Sequence, residues 1–207
     1  MGDGILVINA GSSSIKFCLY TVQGTDLHTL ARGQVEGIGV HPYFQARDGA
    51  DTVLVEQRWD DPATPRETLL GILLDWLDEQ LGRGKLLAAG HRVVLGGERY
   101  RAPMRIDEEV LDYLAGLIPL MPLHQPGNLA PIRELATLKP DLPQVACFDT
   151  AFHTSNPRLA RLYGLPRELT DAGVLRYGFH GLSYEYIASR LPELDERAAR
   201  GRTVVAH

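Results

Sequence analysis

The spacing of hydrophobic and polar positions changes character along this chain, and each change predicts an element. Ile5-Leu-Val-Ile8 is an unbroken apolar run rich in β-branched residues, the mark of a buried strand. The chain then passes Asn9, Ala10, Gly11 and three serines and returns as Ile15-Lys-Phe-Cys-Leu-Tyr20, so its first feature is a β-hairpin. Residues 33–57 alternate polar and apolar with glycines between, as further strands of a meander would. After Pro65 the period becomes helical: Thr68–Leu81 repeats its apolar residues at helical spacing and sets acidic residues on the other face. Residues 86–94 predict a strand, and 107–117 and 128–138 predict helices separated by the proline-rich stretch 119–126. A short strand over 144–148 ends at Asp149, helices follow over 157–163 and 183–191, and a strand is predicted over 202–206. Strands first, then strands alternating with helices, indicate a mixed α/β domain.

Composition narrows the function classes. A chain of 207 residues buries one substantial core or two small ones, and 44% hydrophobic with 23% charged residues is ordinary for a globular protein. A net charge of -5, with no lysine- or arginine-rich run, argues against a nucleic-acid surface. Met-Gly-Asp-Gly lacks the basic and apolar regions of a signal peptide, and Leu6 stands where a myristoylation signal needs Ser or Thr. No apolar run approaches a membrane-spanning length, so the expectation is a cytoplasmic protein without a membrane partner. Cys18 and Cys147 lie in apolar, strand-like surroundings and are expected to be buried, reduced thiols. Thr203-Val-Val-Ala-His207 ends within a strand-like run, which is expected of one domain of a longer protein.

Candidate chemistry sits at the ends of apolar strands, where α/β folds bind ligands. The Gly11–Ser14 turn has hydroxyls, backbone N–H groups and nearby Lys16, a combination that can hold phosphate oxygens, although most turns of this composition bind nothing. It is neither a Walker loop nor a dinucleotide fingerprint. Arg92, inside a strand beside two glycines, either pairs at a sheet edge, the simpler reading, or holds a carboxylate bidentately. His124 follows a proline-stiffened approach to a helix capped near Asn128, and by residue type is a satisfied loop histidine. Asp149, directly after a strand, is either a turn cap or a magnesium-handling or catalytic carboxylate. Gly178 and Gly181 flank Phe179-His180, a tight turn that presents the histidine to an oxygen gaining charge.

Taken as strings, these segments are more specific. Asn9-Ala-Gly-Ser-Ser-Ser-Ile-Lys16 resembles the N-terminal signature of the acetate kinase family, within the sugar kinase, Hsc70 and actin superfamily. His91-Arg-Val-Val-Leu-Gly-Gly97 resembles that family's His-Arg-Val-Val-His-Gly-Gly, with Leu95 for the second histidine. Pro122-Leu-His-Gln-Pro-Gly-Asn-Leu129 resembles Pro-Leu-His-Asn-Pro-Ala-Asn-Leu, with Gln125 and Gly127 departing. Phe148-Asp-Thr-Ala-Phe-His153 is a close match, and Arg176-Tyr-Gly-Phe-His-Gly-Leu-Ser-Tyr184 departs from the second signature at Leu182 and Tyr184.

The resemblance implies a ribonuclease H-like or actin-like ATPase domain, a mixed central sheet flanked by helices. Residues 1–207 would form the N-terminal acetokinase domain, without the C-terminal domain that supplies the adenosine site. It implies reversible phosphoryl transfer from ATP to acetate, with Mg2+ or Mn2+ as cofactor and a homodimeric full-length protein. Asp149, His180 and Arg92 would be catalytic, and Arg92, Val94, Leu123 and Phe179 would bind the substrate. Ser12, Ser14, Lys16 and His207 would contact nucleotide phosphates, Asn9 the metal, and His124 would orient groups nearby. A propionate or butyrate kinase, an inactive isolated substrate-side domain and an actin- or Hsc70-like mechanical module are the alternatives.

Overall fold

The opening apolar run forms β1 (Gly4–Ala10) and its return β2 (Ser14–Gln23), in a register that sets Asn9 opposite Lys16 and Ala10 opposite Ile15. The computed structural model describes residues 2–201. The meander continues through β3 (Asp26–Glu36), β4 (Tyr43–Asp48) and β5 (Val53–Arg58), each antiparallel to the strand before it. A parallel neighbour for β1 requires a crossover, which α1 (Arg66–Leu81) supplies before β6 (Leu86–Val93) enters on β1's free side. With β7 (Met104–Arg105) and β8 (Gln144–Phe148) the sheet has, among the described residues, eight strands in the order β5-β4-β3-β2-β1-β6-β8-β7. An antiparallel meander joined to a parallel strand is the mixed sheet expected of a ribonuclease H-like domain.

The chain divides into two compact units, one holding the chain up to Val93 with Pro103–Ala146, the other Val94–Ala102 and the chain from Cys147 onward. In the first, Leu6, Ile8 and Ala10 are buried while Val7 and Asn9 are exposed, so β1 is covered on one face only. The cover is α1, whose Leu69, Leu70, Leu73, Leu74, Leu77 and Leu81 are buried among Ile15, Phe17, Leu19 and Phe44. Pro65 precedes the first turn of α1, where a missing N–H is harmless, and Gly82 at φ 62° closes its last turn.

α2 (Glu108–Gly116) is capped by Asp107, which accepts from the Val110 N–H at 2.9 Å. α3 (Gln125–Leu138) begins ahead of the expected cap at Asn128, because Pro126 is favourable in a first turn and the proline-rich stretch therefore feeds the helix. In the second unit Phe152–Ser155 and Arg158–Arg161 are 3-10 turns, followed by α4 (Arg167–Asp171), α5 (Gly181–Leu194) and α6 (Glu196–Arg200). The helix expected over 157–163 is only a 3-10 turn with no buried residue, and without packing a short helix does not propagate. The strand expected over 202–206, and His207, lie outside the described residues.

Cys18 and Cys147 are both free, as expected, but half-buried rather than buried. Burial first, then the Glu185 charge, pushes the Cys147 thiol pKa up, which keeps it protonated. No helix among the described residues is long and apolar enough to cross a membrane.

β6 also buries a titratable group. His91 is 2% exposed and neither ring nitrogen has a hydrogen-bond partner among the described residues. Desolvation pushes its pKa down to about 4, opposed by the neighbouring Gln144 side chain. The folded state thus keeps His91 neutral while the unfolded chain takes up a proton below the ordinary value of 6.5. Stability from this group is complete above pH 6.5 and falls with pH toward about 4, so about 2 kcal/mol should be lost between pH 7 and 5. Urea unfolding at both pH values, compared with His91→Gln, checks this: the variant should lose less on acidification.

Candidate active site

In the first unit the hairpin turn is closed by Gly11 N–H donating to the Ser14 carbonyl at 2.9 Å, and the Ser13 carbonyl accepts from Ile38 N–H at 3.1 Å. Ser12 is exposed and Ser14 half-buried. Asn9 and Lys16 are direct cross-strand partners, both exposed on the sheet face that α1 leaves uncovered. Because β6 runs parallel to β1 with His91 beside Ile8, Arg92 comes level with Asn9, and its Nη1 donates to Asn9 Oδ1 at 3.1 Å. Asn9, Ser12, Ser14, Lys16 and Arg92, far apart in sequence, thus share one end of this sheet. Leu123 is 82% exposed. His124 is exposed too and precedes α3 without a side-chain capping bond.

Behind the turn lie three residues that sequence reasoning missed as site residues. Arg66, the first residue of α1, donates Nη1 to the Gly11 carbonyl at 2.9 Å, and Asn128 of α3 donates Nδ2 to the Ala10 carbonyl at 2.7 Å. Gly127 lies against the Gly11–Ser12 peptide so closely that an added Cβ would be 3.1 Å from Gly11 C and Ser12 N. The only available signal was Asn128's place in the proline-rich string, which pointed to a cap instead.

In the second unit Asp149 is 1% exposed, and its carbonyl accepts the Gly181 N–H at 2.8 Å. His180, just before α5, is held at φ 57°, ψ 23°, a left-handed conformation that non-glycine residues adopt at a cost and that is common at functional turns. One backbone bond therefore ties the turn at Asp149 to the turn at His180. His153 fastens them by donating Nε2–H to the Phe179 carbonyl at 2.8 Å, and its ring meets the Tyr184 edge at 5.5 Å. Tyr184 also stacks on Phe152, so this departure from the family pattern is absorbed by packing. Leu95, where the pattern has histidine, is 1% exposed and trades a polar group for core. Val94 is buried and Phe179 half-buried.

A Cβ on Gly181 would sit 2.2 Å from the Asp149 carbonyl oxygen, so the backbone carrying Asp149 must move to admit one. Gly181→Ala is expected to destabilise the protein by about 2 kcal/mol or more. Thermal unfolding measures this, and an unchanged midpoint would show that these turns are looser than their contacts imply.

The protein-family model described as the acetokinase family matches residues 4–207. The chain belongs to the acetokinase family. This acetokinase chain is 53% identical to an acetate kinase of Rhizobium meliloti over 99% of its own length and 52% of the relative's. It is 46% identical to an acetate kinase of Rhodopseudomonas palustris, covering 52% of that protein. Among solved structures it is similar to Porphyromonas gingivalis acetate kinase, with a TM-score of 0.79 and 32% identity over 93% of this chain and 49% of that one. A Francisella tularensis propionate kinase is equally similar, at a TM-score of 0.80 and 31% identity with the same shares covered. The acetokinase chain spans about half the length of the curated relatives it matches.

Proposed function

We propose that this chain is the N-terminal, substrate-side part of an acetate kinase that moves the γ-phosphoryl group of ATP to acetate, giving acetyl phosphate and ADP, and also runs in reverse. The observation that carries the reading is the Arg92–Asn9 pair level with Lys16 beside the serine turn, in a chain of this family. Acetate is ionised at neutral pH, so the nucleophile needs no general base; it needs its charge neutralised as it approaches an anionic phosphate. Arg92 supplies this by holding carboxylate or phosphoryl oxygens in a planar fork. His180 donates to the equatorial oxygens of the transferring group, and Ser12, Ser14 and Lys16 hold the phosphates. By family resemblance, Val94, Leu123 and Phe179 are each assigned to the methyl group of the substrate, and His124 to orienting groups nearby. His207 lies outside the described residues, and its nucleotide contact is assigned by family resemblance.

Taken singly, Asn9 offers a carboxamide oxygen and Asp149 a carboxylate, donor types that a hard cation accepts. Magnesium in phosphoryl transfer needs few protein ligands because it keeps waters and phosphate oxygens. When bound, Mg2+ (or Mn2+) neutralises charge on the phosphate oxygens. Asn9 and Asp149 would hold it or its waters.

The full-length protein is proposed to be a cytoplasmic homodimer, and this chain alone is expected to be inactive. The test is coupled formation of acetyl phosphate from ATP, magnesium and acetate by this chain and by the full-length protein. Turnover by the longer protein alone supports the reading. A second reading, propionate kinase, is favoured by the similarity to the Francisella enzyme, because one methylene in an apolar pocket changes affinity by only about 1–3 kcal/mol. Turnover of propionate with inactivity toward acetate would move the substrate and keep the mechanism.

A further inference from the structure

We propose that Arg66 is a positioning residue for the serine turn, holding the Gly11–Ser12 peptide so that its N–H faces the nucleotide phosphates; this rests on the kinase reading above. In a trans peptide the carbonyl and the following N–H point in opposite directions. Arg66 Nη1 draws the Gly11 carbonyl inward at 2.9 Å, so the Ser12 N–H is turned away from α1. Asn128 fixes the preceding carbonyl, Ala10, and Gly127 backs the same peptide at the limit of close approach. The Gly11–Ser12 unit is thereby gripped at its oxygen and along one side.

Arg66 is an unfavourable residue where it stands. A cation at a helix N-terminus opposes the helix dipole, and its side chain is only 15% exposed. The Glu134 carboxylate lies 3.7 Å from Nε, beyond hydrogen-bonding distance, and Arg66 Nε and Nη2 and Glu134 Oε2 lack hydrogen-bond partners among the described residues. Burial accordingly lowers the pKa of Arg66 and raises that of Glu134. A residue serving packing alone would be better apolar here, whereas one that must hold a carbonyl from behind needs a long, charged donor.

The test uses the full-length protein with Arg66→Met and Arg66→Lys, titrated with MgATP by calorimetry and assayed for the KM of the carboxylate. Loss of a charge-assisted bond predicts MgATP binding weakened by ~10-fold or more in Arg66→Met, with the carboxylate KM within about twofold of wild type. Arg66→Lys keeps one charged donor without the fork, so it should recover part of the affinity, and it carries the test if Arg66→Met does not fold. Wild-type MgATP affinity in the folded variants overturns the inference. So does equal weakening toward nucleotide and carboxylate, which a merely structural role would give. A wild-type protein that binds no MgATP overturns the kinase reading and the inference with it, a result visible before any variant is made.

Discussion

Alanine in place of Arg92 should lower turnover of the full-length protein by ~10²–10³-fold, the range seen when one preorganised donor to developing charge is removed. In the proposed reaction two anions must meet, and Arg92 is the cation that the fold brings level with Asn9, across from Lys16 on the same sheet end. The structural cost should be small. Arg92 is half-buried on β6 and donates to Asn9 at 3.1 Å, and loss of such a bond should change stability by about 1 kcal/mol. Steady-state kinetics and thermal unfolding on one preparation separate the two effects. Arg92→Lys should recover only part of the rate, since an ammonium cannot present two parallel N–H groups to a carboxylate. Unchanged kinetics in Arg92→Ala would remove this residue from the site.

Asp149→Asn is the second large effect. The side chain is 1% exposed and its backbone is tied to Gly181, so the amide takes the place of the carboxylate with little rearrangement. What is lost is a negative charge, and turnover should fall by ~10²-fold or more if that charge orients the reacting groups. In the proposed reaction the acetate nucleophile is already ionised, so Asp149 has no proton to remove. The solvent isotope effect and the proton inventory should therefore be the same in variant and wild type. A proton in flight in the wild type that vanishes in Asp149→Asn would make the residue a general base and overturn this assignment.

Most of the fold was legible from periodicity. The hairpin, α1 and the strand ending at Asp149 fell where the pattern put them, because each buries apolar residues at the spacing that its own geometry demands. The failures have physical causes. α3 starts at Gln125 because prolines that look like a break in sequence are compatible with a first turn. The 157–163 segment has helical spacing but no surface to bury against, and it stays a 3-10 turn.

The candidate site divides in the same way. The sequence by itself determined which residues could do chemistry, namely Asn9, the serines, Lys16, Arg92, Asp149 and His180, because the turns and strand ends that present them are local. It also determined the family through the strings in which they stand. Only the tertiary structure decided that Arg92 bonds Asn9 across 83 positions, that Arg66 and Asn128 grip the carbonyls behind the serine turn, and that His153 and Gly181 tie together the separate turns carrying Asp149 and His180. Those contacts depend on strand register and on where helices cross the sheet. No local pattern encodes them, since an arginine at a helix start or a glycine beside a histidine has the same neighbours in sequence whatever it touches in space.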